Sequence, residues 1–122
     1  MNSFSWATAR TMLAAGFAPD SISSDVHALC IHRPAWDLGR TMTKFLARSL
    51  TLPQIITATT ETPARALRRP DLGTLKPAST GDVSILSLQD QPILQQDVLR
   101  ETLTHPQSLN PQGRMIAGQW HD

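Results

Sequence analysis

Apolar residues in the first half of the chain recur at three- and four-residue steps, the spacing that brings side chains onto one face of an α-helix. Trp6, Ala9, Leu13 and Phe17 form the first such stripe, with Ser3 placed to cap its start and Gly16 and Pro19 to stop it. Residues 21–26 alternate instead, sending Ile22 and Val26 to one side and Ser23 and Asp25 to the other, which predicts a short strand. Residues 28–36 contain Pro34 and hold no period, so they read as a loop. Asp37 caps a second helix carrying Leu38, Met42, Phe45 and Leu46 on one stripe. Thr51 with Pro53 opens a third, bearing Leu52, Ile55 and Ile56, and Thr62–Pro63 opens a short fourth over residues 64–68. A proline in the first turn of a helix gives up only a donor that has no partner there.

Beyond Pro70 the pattern changes. Residues 73–75, 82–88, 99–104 and 115–120 are short apolar or β-branched runs separated by Pro, Gly, Asn and Gln, and they predict strands. A lone strand among four helices has no sheet partner before residue 73, so these parts do not close a core by themselves.

Composition narrows the classes. A length of 122 residues allows one ordinary domain, and 40% hydrophobic with 17% charged residues is globular. A net charge of +1 supplies no bulk attraction to nucleic acid or to acidic lipid, and neither partner is expected. The one basic cluster, Arg65, Arg68 and Arg69 beside Asp71, reads as a solvated helix end. Cys30 stands alone, which excludes an intrachain disulfide and reads as a small buried hydrophobe. The opening residues lack a basic, apolar leader and no run approaches the ~20 apolar residues of a membrane span, so a cytoplasmic protein is expected. Glycine-rich phosphate loops, CxxC pairs and nucleophile-elbow serines are missing from the sequence, which leaves phosphoryl transfer, thiol redox chemistry and serine hydrolysis without support.

Two stretches carry a resemblance: SFSWATARTMLAAGFAPDSISSDVH and DLGRTMTKFLARSLTLPQIITATTETPARALRRPDLGTLKP. Together they resemble the C-terminal third of the amidohydrolase/deacetylase metallohydrolases, dihydroorotase-like members of the amidohydrolase superfamily. The likeness runs from Ser3 to about Leu88 and more loosely to Gly118.

This resemblance implies an α/β fold: the last strand of a (β/α)8 TIM barrel with its helices over residues 1–70, then short strands of a β-sandwich over residues 71–122, incomplete as an isolated domain. It places Asp25 at the end of the eighth barrel strand, as a catalytic residue that is both a metal ligand and the proton shuttle for a hydrolytic water. His27 and His32 are candidate substrate contacts, each with the plainer alternative of a loop histidine. The cofactor implied for the complete enzyme is zinc, held with histidines and a carboxylated lysine or carboxylate from earlier strands, and this chain is expected to hold none stably alone. Met1–Asn2 fall where the family has a glycine-rich junction after a histidine ligand, so the chain is expected to begin downstream of those ligands.

The implied reaction is hydrolysis of C–N bonds in small amide or N-acyl substrates, with the fragment inactive alone. The alternative is a noncatalytic remnant or partner subunit that associates with a separately encoded barrel half or with itself. Leu38, Met42, Phe45 and Leu46 would then face an absent barrel wall, which predicts an exposed apolar patch. Two departures from the family pattern concern glycine. Ser49 in Arg48-Ser49-Leu50 stands where Leu-Gly-Met is expected, and Ala78 begins the stretch where the family has a Gly-led turn. If the backbone there needs positive φ, each replacement costs roughly 1 kcal/mol.

Overall fold

The computed structural model describes residues 4–24 and 38–121. Four helices precede five strands: α1 (Trp6–Ala14), α2 (Leu38–Leu46), α3 (Leu52–Thr59), α4 (Glu61–Ala66), β1 (Val83–Gln89), β2 (Ile93–Gln96), β3 (Thr102–His105), β4 (Ser108–Ile116) and β5 (Gln119–His121). Helix and strand mix without closing a barrel among the described residues, and no helix there is long and apolar enough to cross a membrane.

The caps explain where the helices start and stop. Ser5, not Ser3, caps α1, its hydroxyl accepting the Thr8 N–H at 3.4 Å; Ser3 lies outside the described residues. The chain leaves α1 by a Schellman turn, with Gly16 N–H donating to the Leu13 carbonyl and Phe17 N–H to that of Met12, and Gly16 at φ 82°. Phe17, expected on the α1 stripe, therefore lies past the helix and is exposed. Thr51 and Gln54 form a reciprocal capping box on α3. The fourth helix begins three residues earlier than the sequence suggests, because the Thr60 carbonyl already accepts the Ala64 N–H.

The stripe on α2 packs as its spacing predicts, with Met42 buried and Phe45 and Leu46 against the core, although Leu38 at the helix start stays exposed. Thr43 is buried too, because its hydroxyl donates to the Gly39 carbonyl at 2.8 Å and accepts the Leu109 N–H at 3.1 Å. One side chain thereby ties α2 to β4. The core gathers Ile22, Met42, Leu50, Ile55, Ala58 and Leu109, with Leu13, Phe45, Leu46, Leu52 and Leu86 around it, so it draws on helices and sheet alike.

Of the expected strand over residues 21–26, the described part ends at Ser24 and belongs to no strand. Its ladder partner is missing among the described residues; Ile22 instead donates its N–H to the Ala58 carbonyl of α3 at 2.9 Å. Residues 73–75 form no strand either. Gly73, at φ 71°, turns the chain so closely onto Thr60 that a Cβ would strike that residue's carbonyl.

The remaining β segments make a three-stranded antiparallel sheet, β1-β4-β5, and a separate β2–β3 hairpin. The run expected as one strand at 115–120 is a hairpin. Ala117 and Gly118 take φ 50° and 77°, the two positive values of a type I′ turn, and set Met115 opposite Trp120. Pro111 lies inside β4 opposite Leu86, beside an irregularity in the register. It is tolerated there because β5 reaches only to Arg114, leaving β4 an open edge at Pro111.

Candidate functional site

Asp25, His27 and His32 lie outside the described residues, as does Cys30. What the structure does describe is the approach to Asp25. Ile22 is buried in the core and its N–H is held by Ala58, so α3 fixes the chain three residues before the carboxylate. The exposed Ser21 and Ser23 flank the buried Ile22, in keeping with the alternation read from the sequence.

Among the described residues no group of three or more His, Cys, Asp and Glu side chains is placed to hold a metal ion. His105 is engaged locally, its Nδ1 lying 2.8 Å from the Gln107 carbonyl and 3.2 Å from the Gln107 N–H.

Among the described residues, one buried polar cluster has no counterpart in the sequence pattern. Asp97, 4% exposed, accepts the Trp6 N–H on one carboxylate oxygen at 2.9 Å. Its other oxygen accepts the N–H groups of Leu99 and Glu101 at 2.8 and 2.9 Å. The Trp6 indole donates to the Glu101 carbonyl at 3.0 Å, and Val98 N–H donates to the Phe4 carbonyl at 3.0 Å. From α2, Lys44 donates to the Gln96 carbonyl at 3.1 Å, with its ammonium 5.0 Å from the Phe4 ring centroid. Phe4 meets Trp6 and Phe45 edge-on. Burial pushes the Lys44 amine below its ordinary pKa, opposed by the attraction of Asp97.

This arrangement clasps the hairpin tip to the start of α1. Asp97 acts there as a remote N-cap, a carboxylate set against the free N–H groups of a helix N-terminus. With Lys44 only 3% exposed, the amine has no route to a substrate, and the cluster serves packing rather than chemistry. The available signal was Asp97 at the head of a turn, a residue type that bonds the backbone just ahead of it. Gln95, one residue before Gln96, is buried with neither amide atom bonded among the described residues, and nothing in the structure explains it.

No family model matches the sequence. Among curated proteins, deacetylases of Agrobacterium fabrum and Brucella anthropi are each 33% identical over 88 residues, which is 72% of this chain and 22% of theirs. A deacetylase of Enterococcus faecalis is 29% identical over 122 residues, 99% of this chain and 33% of its own. The fold agrees: the crystal structure of an adenine deaminase superposes with a TM-score of 0.92 at 29% identity, covering 98% of this chain and 33% of that one. The chain is a relative of the amidohydrolases. A dihydroorotase structure matches this amidohydrolase relative with a TM-score of 0.88 at 27% identity, over 98% of it and 32% of the neighbour. The amidohydrolase relative thus spans between a fifth and a third of the length of the proteins it matches.

Proposed function

We propose that this chain forms part of a metal-dependent amidohydrolase that cleaves the C–N bond of amide or N-acyl substrates with metal-activated water, and that Asp25 is its metal ligand and proton acceptor. The observation that carries the reading is the deacetylase similarity, 33% identical over 88 residues. In this reading residues 1–70 belong to the barrel and residues 71–122 to the β-sandwich, in a cytoplasmic enzyme.

Zinc is the metal of the complete site, and zinc takes three or four protein donors. In this reading the further ligands come from the part of the fold that this chain does not span. A carboxylate suits Asp25's role: within hydrogen-bond reach of a metal-bound water it takes one proton and later delivers it to the leaving amine. His27 and His32 contact the substrate. The chain is inactive alone.

The test is co-expression with a polypeptide carrying the rest of an amidohydrolase fold, assayed on N-acetyl amino acids. Hydrolysis should occur only with both parts and fall at least ~100-fold in Asp25→Asn, the scale of a lost acid–base group. A pair equally active with Asp25→Asn would overturn the assignment.

A second reading, a noncatalytic partner that binds a barrel half or itself, is favoured by exposed apolar side chains. Leu67 and Leu75 are 70% and 82% exposed. They border a groove of about 560 Å³ whose walls include Leu38, Ile56 and Val83. A stable pair without hydrolysis would select this reading.

A further inference from the structure

Helix α4 ends in a Schellman turn, with Arg68 N–H donating to the Arg65 carbonyl and Arg69 N–H to that of Ala64. The chain then folds back, because Gly73 packs its bare Cα against the Thr60 carbonyl. Between α4 and the returning segment lies an open cavity of about 550 Å³.

The rim of this cavity is cationic. Arg65, Arg68, Arg69 and Lys76 line it, with Glu61 as the lone carboxylate. Two of the four cations are already matched. Arg65 pairs with Glu61 at 3.0 Å, and Arg69 makes two bonds to Asp71, at 2.8 and 2.6 Å. Asp71 also accepts the Thr80 hydroxyl at 3.0 Å, and these bonds hold its carboxyl well below the usual carboxylate range.

Arg68 and Lys76 make no ion pair among the described residues. A chain of net charge +1 therefore sets two unmatched cations around one concavity. The helix dipole favours a basic residue in the last turn of α4, which accounts for Arg65. It does not account for Lys76, which reaches the same cavity from beyond the helix. Arg68 moreover occupies the left-handed C′ position, at φ 55°, where glycine serves the backbone better. Apolar walls from Ala64, Pro70 and Leu72 complete the cavity.

We propose that this cavity binds a small oxyanion of the phosphate type, with Arg68 and Lys76 as its charged contacts. Guanidinium and ammonium groups donate several hydrogen bonds to such an anion, and both residues line the one cavity. The apolar walls also accommodate the carbon portion of a phosphate monoester.

The test is an NMR titration of the whole chain with inorganic phosphate and with phenyl phosphate, at constant ionic strength made up with chloride. Saturable shifts are expected at the amides of Arg68, Gly73 and Lys76. Arg68→Gly should weaken binding about tenfold, the scale of one lost charge-assisted contact. It should also raise the melting temperature, because glycine adopts the left-handed turn without strain. That pairing separates loss of ligand from loss of fold. Lys76→Gln, on an exposed side chain, should weaken binding with the melting temperature unchanged. Tighter binding of phenyl phosphate supports a monoester ligand, and equal binding supports recognition of the phosphate group alone. Linear, non-saturating shifts, or variants that titrate like the parent chain, would overturn the site.

Discussion

Three helices of this chain end in the same Schellman turn with three different residues at the left-handed position: Gly16 at φ 82°, Ser49 at 71° and Arg68 at 55°. Only the first is the residue that the backbone prefers. Ser49 is one of the two positions where the family pattern implies glycine. The other, Ala78, has φ 68° as the third residue of a turn in which Ser79 N–H donates to the Lys76 carbonyl. With Pro77 as the second residue this is the type II pattern, which asks for glycine third. Both positions were legible in the sequence through the resemblance, since composition and periodicity say nothing about φ. Ser49→Gly and Ala78→Gly should each stabilise the fold by about 1 kcal/mol, measured by urea unfolding. The opposite outcome belongs to Gly73→Ala, whose Cβ would overlap the Thr60 carbonyl. A loss of about 2 kcal/mol or more is expected there.

Helices were read from the sequence more faithfully than strands, for a physical reason. The second and third helices carry continuous apolar stripes, and α3 carries a local capping box, so each is specified by its own residues. Strands β2 and β4 contain Gln95, Gln96, Asn110, Pro111 and Gln112, and polar residues of that kind announce loops. What holds them is pairing with β3 and β1, which no local window contains. The clasp of Asp97 on Trp6 is hidden likewise, since its partners stand 91 residues apart. Asp97→Ala should destabilise by about 3 kcal/mol, because it leaves several buried or half-buried N–H groups without an acceptor. Thr43→Val keeps the shape but strips the acceptor from the buried Leu109 N–H, and should lower stability by about 1–3 kcal/mol. Lys44 gives the clasp a pH dependence. Its folded pKa lies below the ordinary 10.5, so the native state binds fewer protons there than the unfolded chain does. Its contribution to stability therefore rises as pH climbs through the lowered value toward 10.5 and levels off above. Urea midpoints of the parent and of Lys44→Met, followed from neutral pH upward, should diverge in slope over that window.

At the scale of the molecule, a core that draws on both helices and sheet coexists with many exposed apolar side chains, among them Phe17, Leu67, Leu75, Leu94, Leu99 and Trp120. The chain spans about a third of its structural neighbours. Concentration-dependent self-association is expected in sedimentation velocity, and a single monomeric boundary at high concentration would speak against it. Asp25 is proposed to work only in a metal centre completed by the rest of an amidohydrolase fold. The most direct test is the zinc content of the purified chain, alone and paired with a polypeptide supplying that remainder. Substoichiometric, easily dialysed zinc is expected for the chain alone and tightly held zinc in the pair, reduced by Asp25→Asn. Stoichiometric zinc that survives dialysis on the solitary chain would contradict it.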